Sequence, residues 1–584
     1  MEPPSQSESE RWAWEHSPEP GWIDAPGGPL FSWYHAPAGP PRKRAILLCE
    51  PLGHDRMNLH LTYRHLALHL SRAGYPTLRF DYAGTGDSSG SSRDPDWAAN
   101  WETGLEAACD TLLDRSQTSH LVLFGARIGA TLAARFAYAR SEVDALILWG
   151  AYLKGRAFLR NESVLHRIIG ANPASRQPRH ADPKEREFIG FLYSASARAE
   201  LESIDLLSKK DRPCRHARIF GWDGESSEDQ LASHLLERGT QVEFSRFEDS
   251  VSEASLTEQH VPEALLRETV AWLDGLPPLD TATTRVEGSD GRRLRSSVFR
   301  SATTRRAVEE EAVFFGGDGG IFGILSQACH PDQTAPKKPA LILVSGGNNP
   351  RAGINRNYTE WARDAALRGT TTLRFDIRGL GDSPPLLAHD LNQLYRDETV
   401  KDLRAAIDFL ESRGENSGII LCGLCAGAFQ ALHTALVDSR VTGVLFLDLL
   451  RWDKDPTQVR RPGFFDRRRR SIERISRRLR ARFGGSERPA DGSLLGDQLS
   501  KLVDREVDLV AIGCRTRGGH DHFVEAIASR RAHLDASDRF RLEGLDNTDH
   551  IFSPLWAQEW LADLLESTVE AFSESVSQNE DSGS

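Results

Sequence analysis

The amino-acid sequence predicts an α/β fold that occurs twice in one chain, each copy a mainly parallel sheet covered by helices. The chain has 584 residues, which is more than a single hydrophobic core can organise, so two or more domains are expected. Long motifs recur at a spacing of 295 to 298 residues. Within each copy, apolar strand-like runs alternate with helix-like stretches, a pattern typical of a parallel sheet.

The internal repeat is visible in two pairs of segments. LRFDYAGTGDS at 78–88 recurs as LRFDIRGLGDS at 373–383, and LVLFGARIGA at 121–130 recurs as IILCGLCAGA at 419–428. Near-equal offsets over several motifs indicate tandem copies of one domain, not short solenoid repeats.

Composition predicts the boundaries between these copies. Residues 276–308 are poor in large apolar side chains and rich in Ser, Thr and Arg, which favours a linker. Residues 573–584, SESVSQNEDSGS, are predicted to be a disordered tail. We therefore expect an N-terminal domain over 1–275 and a C-terminal domain over 309–572.

Each copy starts with an apolar strand and a helix and continues to a Gly/Asp-rich turn. Strands are predicted at 45–51 and 340–346, and the helices that follow them at 63–75 and 358–370. In the Gly/Asp turn of the second copy, Asp376 and Asp382 are expected to stabilise the loop and not to take part in chemistry.

A tight glycine turn comes next in both copies. In the second copy a strand at 418–422 is expected to turn sharply at Cys425 into a helix at 426–436. Gly423 and Gly427 leave room for a strained backbone that lifts the central side chain above the sheet. In the first copy the central residue is Arg127, whose guanidinium stays protonated and cannot act as a nucleophile.

The RFDxxGxGDS stretch, the glycine turn and the closing DHIFSP…WL segment, in this order, resemble the α/β-hydrolases of the serine-aminopeptidase-like group. The resemblance implies two tandem α/β-hydrolase domains, each with a lid insertion, at about 151–210 and 449–506. For the second domain it implies Cys425 as nucleophile, His550 as base and Asp521 as the acid that orients the imidazole.

The triad acid has two candidates in the sequence. Asp521 lies in RTRGGHDHF, just after the strand-like run 507–513. Asp448 follows the strand-like run 441–447 and is the rival. For the oxyanion hole we expect the backbone N–H of Ala426 and a second donor from the SGGNN loop, Gly347 or Asn348.

The CGLC motif is also compatible with a dithiol site of the thioredoxin type, with Cys422 and Cys425 as the pair. Two observations oppose it. The first copy has Phe124 and Arg127 at these positions, and Cys422 is expected inside a strand with its side chain in the core.

The first domain is predicted to be non-catalytic. Asp223 is available as an acid, but His260 is about two residues off register when Trp272 is aligned with Trp560. Two hypotheses remain for Arg127: it binds a carboxylate or phosphate, or it pairs internally with an acidic neighbour.

Residues 464–483 contain nine arginines and two acidic residues, with apolar residues at helical spacing. We interpret this segment first as an amphipathic lid helix. The alternative is a docking surface for an acyl carrier protein or a CoA-bearing substrate.

Bulk composition excludes several function classes. A net charge of −12 argues against nucleic acid as a partner, and no apolar run is long enough for a membrane span. The N-terminus lacks the pattern of a secretory signal, and seven scattered cysteines do not form a disulfide framework, so a cytoplasmic location is expected. No metal-ligand spacing is present, and no cofactor is implied; HDH at 520–522 is too close-set to stand alone.

The predicted function is a cysteine-dependent acyl hydrolase, similar to an esterase or thioesterase, that works through an acyl-enzyme. A thiolate suits thioesters, activated esters and lactones, because the acyl-enzyme is itself a thioester. An acyltransferase or cyclase acting on carrier- or CoA-bound thioesters is one alternative. A non-catalytic tandem scaffold is the other.

Overall fold

A computed structural model describes most of the chain with side chains. The described residues are 18–94, 96–169, 185–221, 227–247, 261–279, 295–300, 306–317, 319–330, 337–385, 393–414, 417–453 and 494–582. Among the helices in these ranges, none combines the length and apolar character that crossing a membrane requires.

The first half of the chain forms an eight-stranded sheet in the order β1-β2-β4-β3-β5-β6-β9-β10. The two pairs β1–β2 and β2–β4 are antiparallel and all later pairs are parallel. Its strands are β1 (Glu19–Ile23), β2 (Leu30–His35), β3 (Arg44–Cys49), β4 (Thr77–Phe80), β5 (His120–Ala126), β6 (Val143–Trp149), β9 (His216–Gly221) and β10 (Gln241–Arg246).

Helices cover this sheet, and a separate hairpin lies in the predicted lid region. The helices are α1 (Gly53–Arg72), α2 (Ala99–Ser116), α3 (Ile128–Ala137), α4 (Gly155–Ile169), α5 (Ala195–Ser203), α6 (Ser227–Glu237) and α7 (Glu263–Gly275). The hairpin consists of β7 (Arg186–Phe188) and β8 (Phe191–Tyr193).

The second half forms a nine-stranded sheet in the order β11-β12-β13-β15-β14-β16-β17-β18-β19. From β14 onward the inner strands are parallel and match those of the first sheet in order. Its strands are β11 (Ser296–Arg300), β12 (Ala307–Phe315), β13 (Ile321–Ala328), β14 (Ala340–Val344), β15 (Thr372–Phe375), β16 (Ile419–Leu424), β17 (Val441–Leu447), β18 (Asp508–Cys514) and β19 (Phe540–Leu545).

The helices of the second half follow the same plan. They are α8 (Asn357–Leu367), α9 (Glu398–Ser412), α10 (Ala426–Val437), α11 (Leu494–Val503), α12 (Gly519–Ala526), α13 (Arg531–Asp535) and α14 (Leu555–Ser582). The inner strands, such as β3, β5, β14 and β16, consist almost entirely of buried residues, most of them apolar, because a parallel sheet covered on both faces has no solvated side.

Two segments differ from the prediction made from composition. Part of the expected linker, 276–308, forms strand β11 and the start of β12, where Phe299 packs on Trp22 of the first domain with 6.2 Å between ring centroids. Pairing with the sheet edge supplies hydrogen bonds that composition does not reveal. The expected disordered tail continues helix α14 through Ser582.

The two domains pack through their Gly/Asp turns in a reciprocal manner. Arg79 of the first domain pairs with Asp382 of the second at 2.6 Å. Arg374, which lies 295 positions after Arg79, pairs in turn with Asp87, which lies 295 positions before Asp382. Equivalent residues thus exchange equivalent contacts, as in the interface of a two-fold symmetric dimer.

Buried side chains complete this interface. Arg351 contacts Asp87 at 2.5 Å across the boundary and Asp376 at 2.7 Å within its own domain. Trp33 and Phe322, one from each domain, lie edge to face with 4.5 Å between ring centroids. The Gly/Asp turns therefore have a structural role, as expected for Asp376 and Asp382.

Candidate active site

Cys425 occupies a strained turn between β16 and α10. Its backbone has φ 54° and ψ −108°, a conformation that a non-glycine residue adopts only when its surroundings impose it. A Cβ on Gly423 would overlap the backbone of Gly427, and a Cβ on Gly427 would overlap the carbonyl of Val344. The two glycines let strand, helix and neighbouring strand approach closely, and Cys425 is left half-buried at the edge of the sheet.

His550 lies in the loop between β19 and α14, and its ring is close enough to Cys425 for the two groups to shift each other's pKa. Its Nδ1 lies 2.5 Å from Oδ2 of Asp448, so Nδ1–H donates to the carboxylate. That bond leaves Nε2 as the ring nitrogen that faces the thiol. Cys425, His550 and Asp448 therefore lie in one continuous line of contacts.

Asp448 is held firmly at the end of β17. It is 2% exposed and has φ 47°. Its Oδ1 accepts a hydrogen bond from the backbone N–H of Cys514 at 2.9 Å, and its own N–H donates to the carbonyl of Ile512 at 2.7 Å. Both carboxylate oxygens are therefore used, one to fix the residue and one to orient His550.

The prediction that Asp521 orients His550 is wrong in this structure. The Asp521 side chain is 82% exposed, and it forms an ion pair with its neighbour His520 at 3.2 Å. On the short helix α12 it is Gly519 that faces Asp448, where a Cβ would overlap the carboxylate. Since two residues correspond to about 200° of rotation on a helix, Asp521 points away from that contact toward solvent.

Electrostatics favours an ion pair between Cys425 and His550. Burial disfavours the thiolate, but the charge and hydrogen bond of His550 outweigh it, and the pKa of Cys425 falls below its ordinary value. Burial likewise disfavours the imidazolium, but Cys425 and Asp448 outweigh it and raise the pKa of His550 well above its ordinary value. Both shifts favour the charged pair, so Cys425 is a thiolate at lower pH than an isolated cysteine would be.

Tyr395 is a site residue that the sequence did not reveal. Its Oη lies 3.7 Å from Sγ of Cys425, and the Arg451 guanidinium lies 4.6 Å from the centre of its ring. Burial and the neighbouring Cys425 raise the pKa of Tyr395, so the hydroxyl keeps its proton and can donate to the thiolate. No motif surrounds this tyrosine, and it comes close to Cys425 only through the fold.

The SGGNN loop lies directly beside the Cys425 turn. A Cβ on Gly346 would overlap the carbonyl of Leu424, and Gly347 has φ +60°. Asn349 Nδ2 donates to the carbonyl of Gly346 at 2.8 Å, which shapes the loop. Ala426, the first residue of α10, and Asn348 are both buried here. The oxyanion-hole roles of Ala426, Gly347 and Asn348 remain predictions.

Cys422 does not share the site with Cys425. It is fully buried within β16, and burial raises the pKa of its thiol well above the ordinary value. Each of the seven cysteines is free. Cys422 therefore lacks the exposed, low-pKa thiol of a dithiol redox centre.

The first domain has the same turn, but its central residue is Arg127 in place of cysteine. Arg127 has φ 57° and ψ −129° and donates its N–H to the carbonyl of Trp149, just as Cys425 donates to Leu447. By the same register, Gly150 occupies the position of Asp448. The first copy therefore has no nucleophilic side chain at the turn and no carboxylate at the position of Asp448.

Arg127 is paired inside its own domain, which is the second of the two hypotheses made from the sequence. Its Nε lies 3.3 Å from Asp55, and its guanidinium also contacts the hydroxyl of Tyr152. Glu162 is buried nearby, and burial together with Asp55 raises the pKa of that carboxyl well above its ordinary value. The Asp55 carboxylate thus compensates the charge of Arg127, which does not favour the binding of an anion at this position.

Several predicted features lie outside the described residues: Asp223, His260 and the arginine-rich segment 464–483. Within the described ranges, no group of three or more His, Cys, Asp or Glu residues is arranged to hold a metal ion.

Comparisons with known proteins give two family matches. Residues 52–186 match the family model described as serine aminopeptidase, S33, and residues 341–571 match that of the alpha/beta hydrolase family. A search of curated proteins found no match.

Several solved structures resemble part of the chain. An esterase from Pyrococcus furiosus, Pf2001, is 15% identical, with 44% of this chain and 90% of that chain covered and a TM-score of 0.31. Est1E from Butyrivibrio proteoclasticus, with ferulic acid bound, is 16% identical, with 43% and 97% covered and a TM-score of 0.32. A carboxyl esterase from Bacillus coagulans, in complex with glycerol, is 12% identical, with 44% and 98% covered and a TM-score of 0.32.

Proposed function

Because this chain carries two α/β-hydrolase domains in tandem, we propose that the second is a cysteine-dependent acyl hydrolase acting on thioesters or activated esters. The observation that carries the proposal is the chain of contacts from Cys425 through His550 to Asp448. A strained turn, a paired base and a buried orienting acid are the parts that nucleophilic acyl transfer requires.

The proposed reaction has two halves. The Cys425 thiolate attacks the carbonyl carbon of the substrate, and the resulting oxyanion is stabilised by the N–H of Ala426 and a donor from the SGGNN loop. Collapse of this intermediate breaks the bond to the leaving group, which takes a proton from the His550 imidazolium. The acyl group is then held on Sγ as a thioester.

The second half releases the acyl group. His550, now neutral, accepts a proton from water as the water oxygen attacks the thioester carbon. Cys425 leaves as a thiolate, the carboxylic acid departs, and His550 is again protonated. Asp448 keeps Nδ1 protonated throughout, so that Nε2 is the nitrogen that exchanges protons. The first domain takes no chemical part, since Arg127 and Gly150 occupy its nucleophile and acid positions.

The test is intact-protein mass after incubation with a panel of acyl thioesters and p-nitrophenyl esters. The wild type is expected to gain the mass of one acyl group, and Cys425→Ala is expected to gain none. Decay of the adduct in water supports a hydrolase. Decay that requires an added amine, alcohol or thiol would instead identify an acyltransferase. An adduct that persists in Cys425→Ala would refute the assignment of the nucleophile.

A further inference from the structure

A hairpin from the first domain contacts the loop between β19 and α14 of the second domain. This loop carries His550 and is called the histidine loop below. Strands β7 and β8 are joined by two residues, Ile189 and Gly190, with φ 49° and φ 79°. A positive φ is unusual for a β-branched residue such as Ile189, and it persists only where the surroundings impose it. Ile189 is 2% exposed, so the strained tip is buried.

The hairpin makes two direct hydrogen bonds to the start of α14. Glu187 Oε1 accepts from the backbone N–H of Leu555 at 3.0 Å, and this bond is buried. The carbonyl of Gly190 accepts from Nε2 of Gln558 at 3.1 Å. The first N–H groups of a helix have no partner within the helix, so Glu187 satisfies one of them and caps α14 from another domain.

The same helix end is tied to the loop that carries His550. Asp549 accepts from the N–H of Ser553 at 2.8 Å and from its hydroxyl at 2.5 Å. Gln558 also donates to the carbonyl of Ser553, at 2.6 Å. Between Asp549 and Leu555 the backbone is therefore a closed, hydrogen-bonded turn that contains His550.

There is no spare room at this contact. A Cβ on Gly190 would overlap the carbonyl of Ser553 and the side-chain amides of Asn355 and Gln558. Gly190 is also in the left-handed region, so any larger residue there is both strained and blocked. The tip of the hairpin is therefore in tight contact with the histidine loop, and a shift of that loop toward Gly190 is blocked.

We propose that this hairpin is a positioning element for His550, in which Glu187 and Gly190 of the non-catalytic domain hold the 549–555 segment in the geometry that Cys425 requires. The inference rests on the function proposed above. A misplacement of a catalytic group by about 1 Å can cost about 100-fold in rate, so a contact that restrains the loop has a measurable effect. The first domain then contributes to activity without touching the substrate.

The structure supplies a conservative variant. Burial, opposed by the bond from Leu555 and reinforced by Glu559 and Asp549, raises the pKa of Glu187 to about 7. Near neutral pH its protonated form, like its ionised form, can accept from Leu555. Glu187→Gln keeps a carbonyl oxygen of the same reach, whereas Glu187→Ala removes the acceptor.

It also supplies a matched control. Arg93 of the first domain pairs with Glu559 on the same helix at 2.8 Å, and both side chains are about half exposed. This ion pair crosses the same domain boundary four residues beyond Leu555 on α14, outside the 549–555 segment. Arg93→Ala thus removes a domain contact of little energetic weight.

The experiment measures the rate at which iodoacetamide alkylates Cys425 as a function of pH, with the modified peptide identified by mass. Iodoacetamide reacts with the thiolate, so the alkylation rate measures the ionised fraction of Cys425. It therefore reports the effect of His550 on the thiol without a substrate. Relative to wild type, Glu187→Ala and Gly190→Ala are expected to react about 10-fold more slowly at pH 7 and to shift the inflection to higher pH. Glu187→Gln and Arg93→Ala are expected to stay within about two-fold.

Each outcome bears on the inference. It is overturned if Glu187→Ala and Gly190→Ala keep the wild-type inflection, even when their melting temperatures fall, because the hairpin would then stabilise the fold without positioning His550. If Glu187→Ala does not fold, Gly190→Ala alone decides. A wild-type Cys425 that reacts like an ordinary thiol, unaffected by His550→Ala, would refute the proposed function itself and the inference with it.

Discussion

The turns at Arg127 and Cys425 have nearly the same backbone conformation, but their central side chains and the partners of those side chains differ. Both central residues have φ between 54° and 57°, and both follow a strand and begin a helix. In one copy the side chain is neutralised by Asp55, and in the other it faces His550. The strained turn is thus a property of the fold, whereas reactivity depends on which side chains the neighbouring loops supply.

The residues that follow β6 and β17 differ in the same way, with an equivalent backbone and a different side chain. Gly150 and Asp448 make equivalent backbone hydrogen bonds, to Phe220 and Ile512. Only Asp448 has a carboxylate to orient a histidine. At these two positions the copies thus differ in side chain, while their backbone hydrogen bonds are equivalent.

The largest expected effect comes from removing the nucleophile. Cys425→Ala is expected to lower the rate of acyl thioester hydrolysis by roughly 10⁶-fold, the effect of deleting a triad nucleophile. Hydrolysis can be followed by release of the free thiol, with adduct formation checked by mass. Unchanged hydrolysis would place the chemistry elsewhere.

The two candidate acids are expected to differ by orders of magnitude. Asp448→Asn should lower the acylation rate by about 10⁴-fold, because an amide no longer holds the required imidazole tautomer. Asp521→Asn should leave the rate unchanged, since the Asp521 side chain is 82% exposed and contacts His520. Stopped-flow acylation of both variants gives the comparison, and equal losses would contradict it.

At the equivalent turn of the first domain, substitution is expected to affect stability and not chemistry. Arg127→Ala leaves Asp55 buried without its partner, which costs about 3 kcal/mol or more. Thermal unfolding should show a lower melting temperature, while a folded sample keeps the acylation rate of wild type. The double variant Arg127→Met, Asp55→Asn serves as control and should recover most of the loss. A melting temperature unchanged in Arg127→Ala would show that the pair is not stabilising.

The Cys425–His550 pair predicts a pH profile. His550 lowers the pKa of Cys425, so the thiolate forms at lower pH than in a free thiol and is lost only as the pH falls through that depressed value. His550→Ala removes the opposing charge but leaves the burial, so the inflection should move to higher pH. At pH 7 the alkylation rate should fall by about 30-fold or more. An inflection that does not move would rule out the ion pair.

The smallest expected effect is that of Tyr395. Its hydroxyl lies 3.7 Å from Sγ, a weak contact. Tyr395→Phe should lower alkylation at pH 7 by about three- to ten-fold, the equivalent of one hydrogen bond to the thiolate. A rate equal to wild type would limit the tyrosine to packing.

Much of the second domain could be predicted from the sequence. The strand predicted at 441–447 is β17, and the turn at Cys425 leads into α10 as expected. The start of helix α1 in the first domain is not predicted correctly from the sequence. It begins at Gly53, ten residues before the predicted start, because polar side chains such as His54 and Asn58 are buried there and obscure the helical pattern.

Chain order and one strained turn were enough to predict that Cys425 and His550 belong to one site, because both follow from local motifs. The acid was not determined in this way. Asp448 and Asp521 both follow parallel strands whose carboxyl ends lie at one edge of the sheet, so spacing admits either. Only the tertiary structure places Asp448 against His550, since Gly519 packs against the Asp448 carboxylate, while Asp521, about half a turn further along α12, faces solvent. Contacts between domains, such as Glu187 on Leu555, likewise depend on residues far apart in the chain and leave no pattern in the sequence.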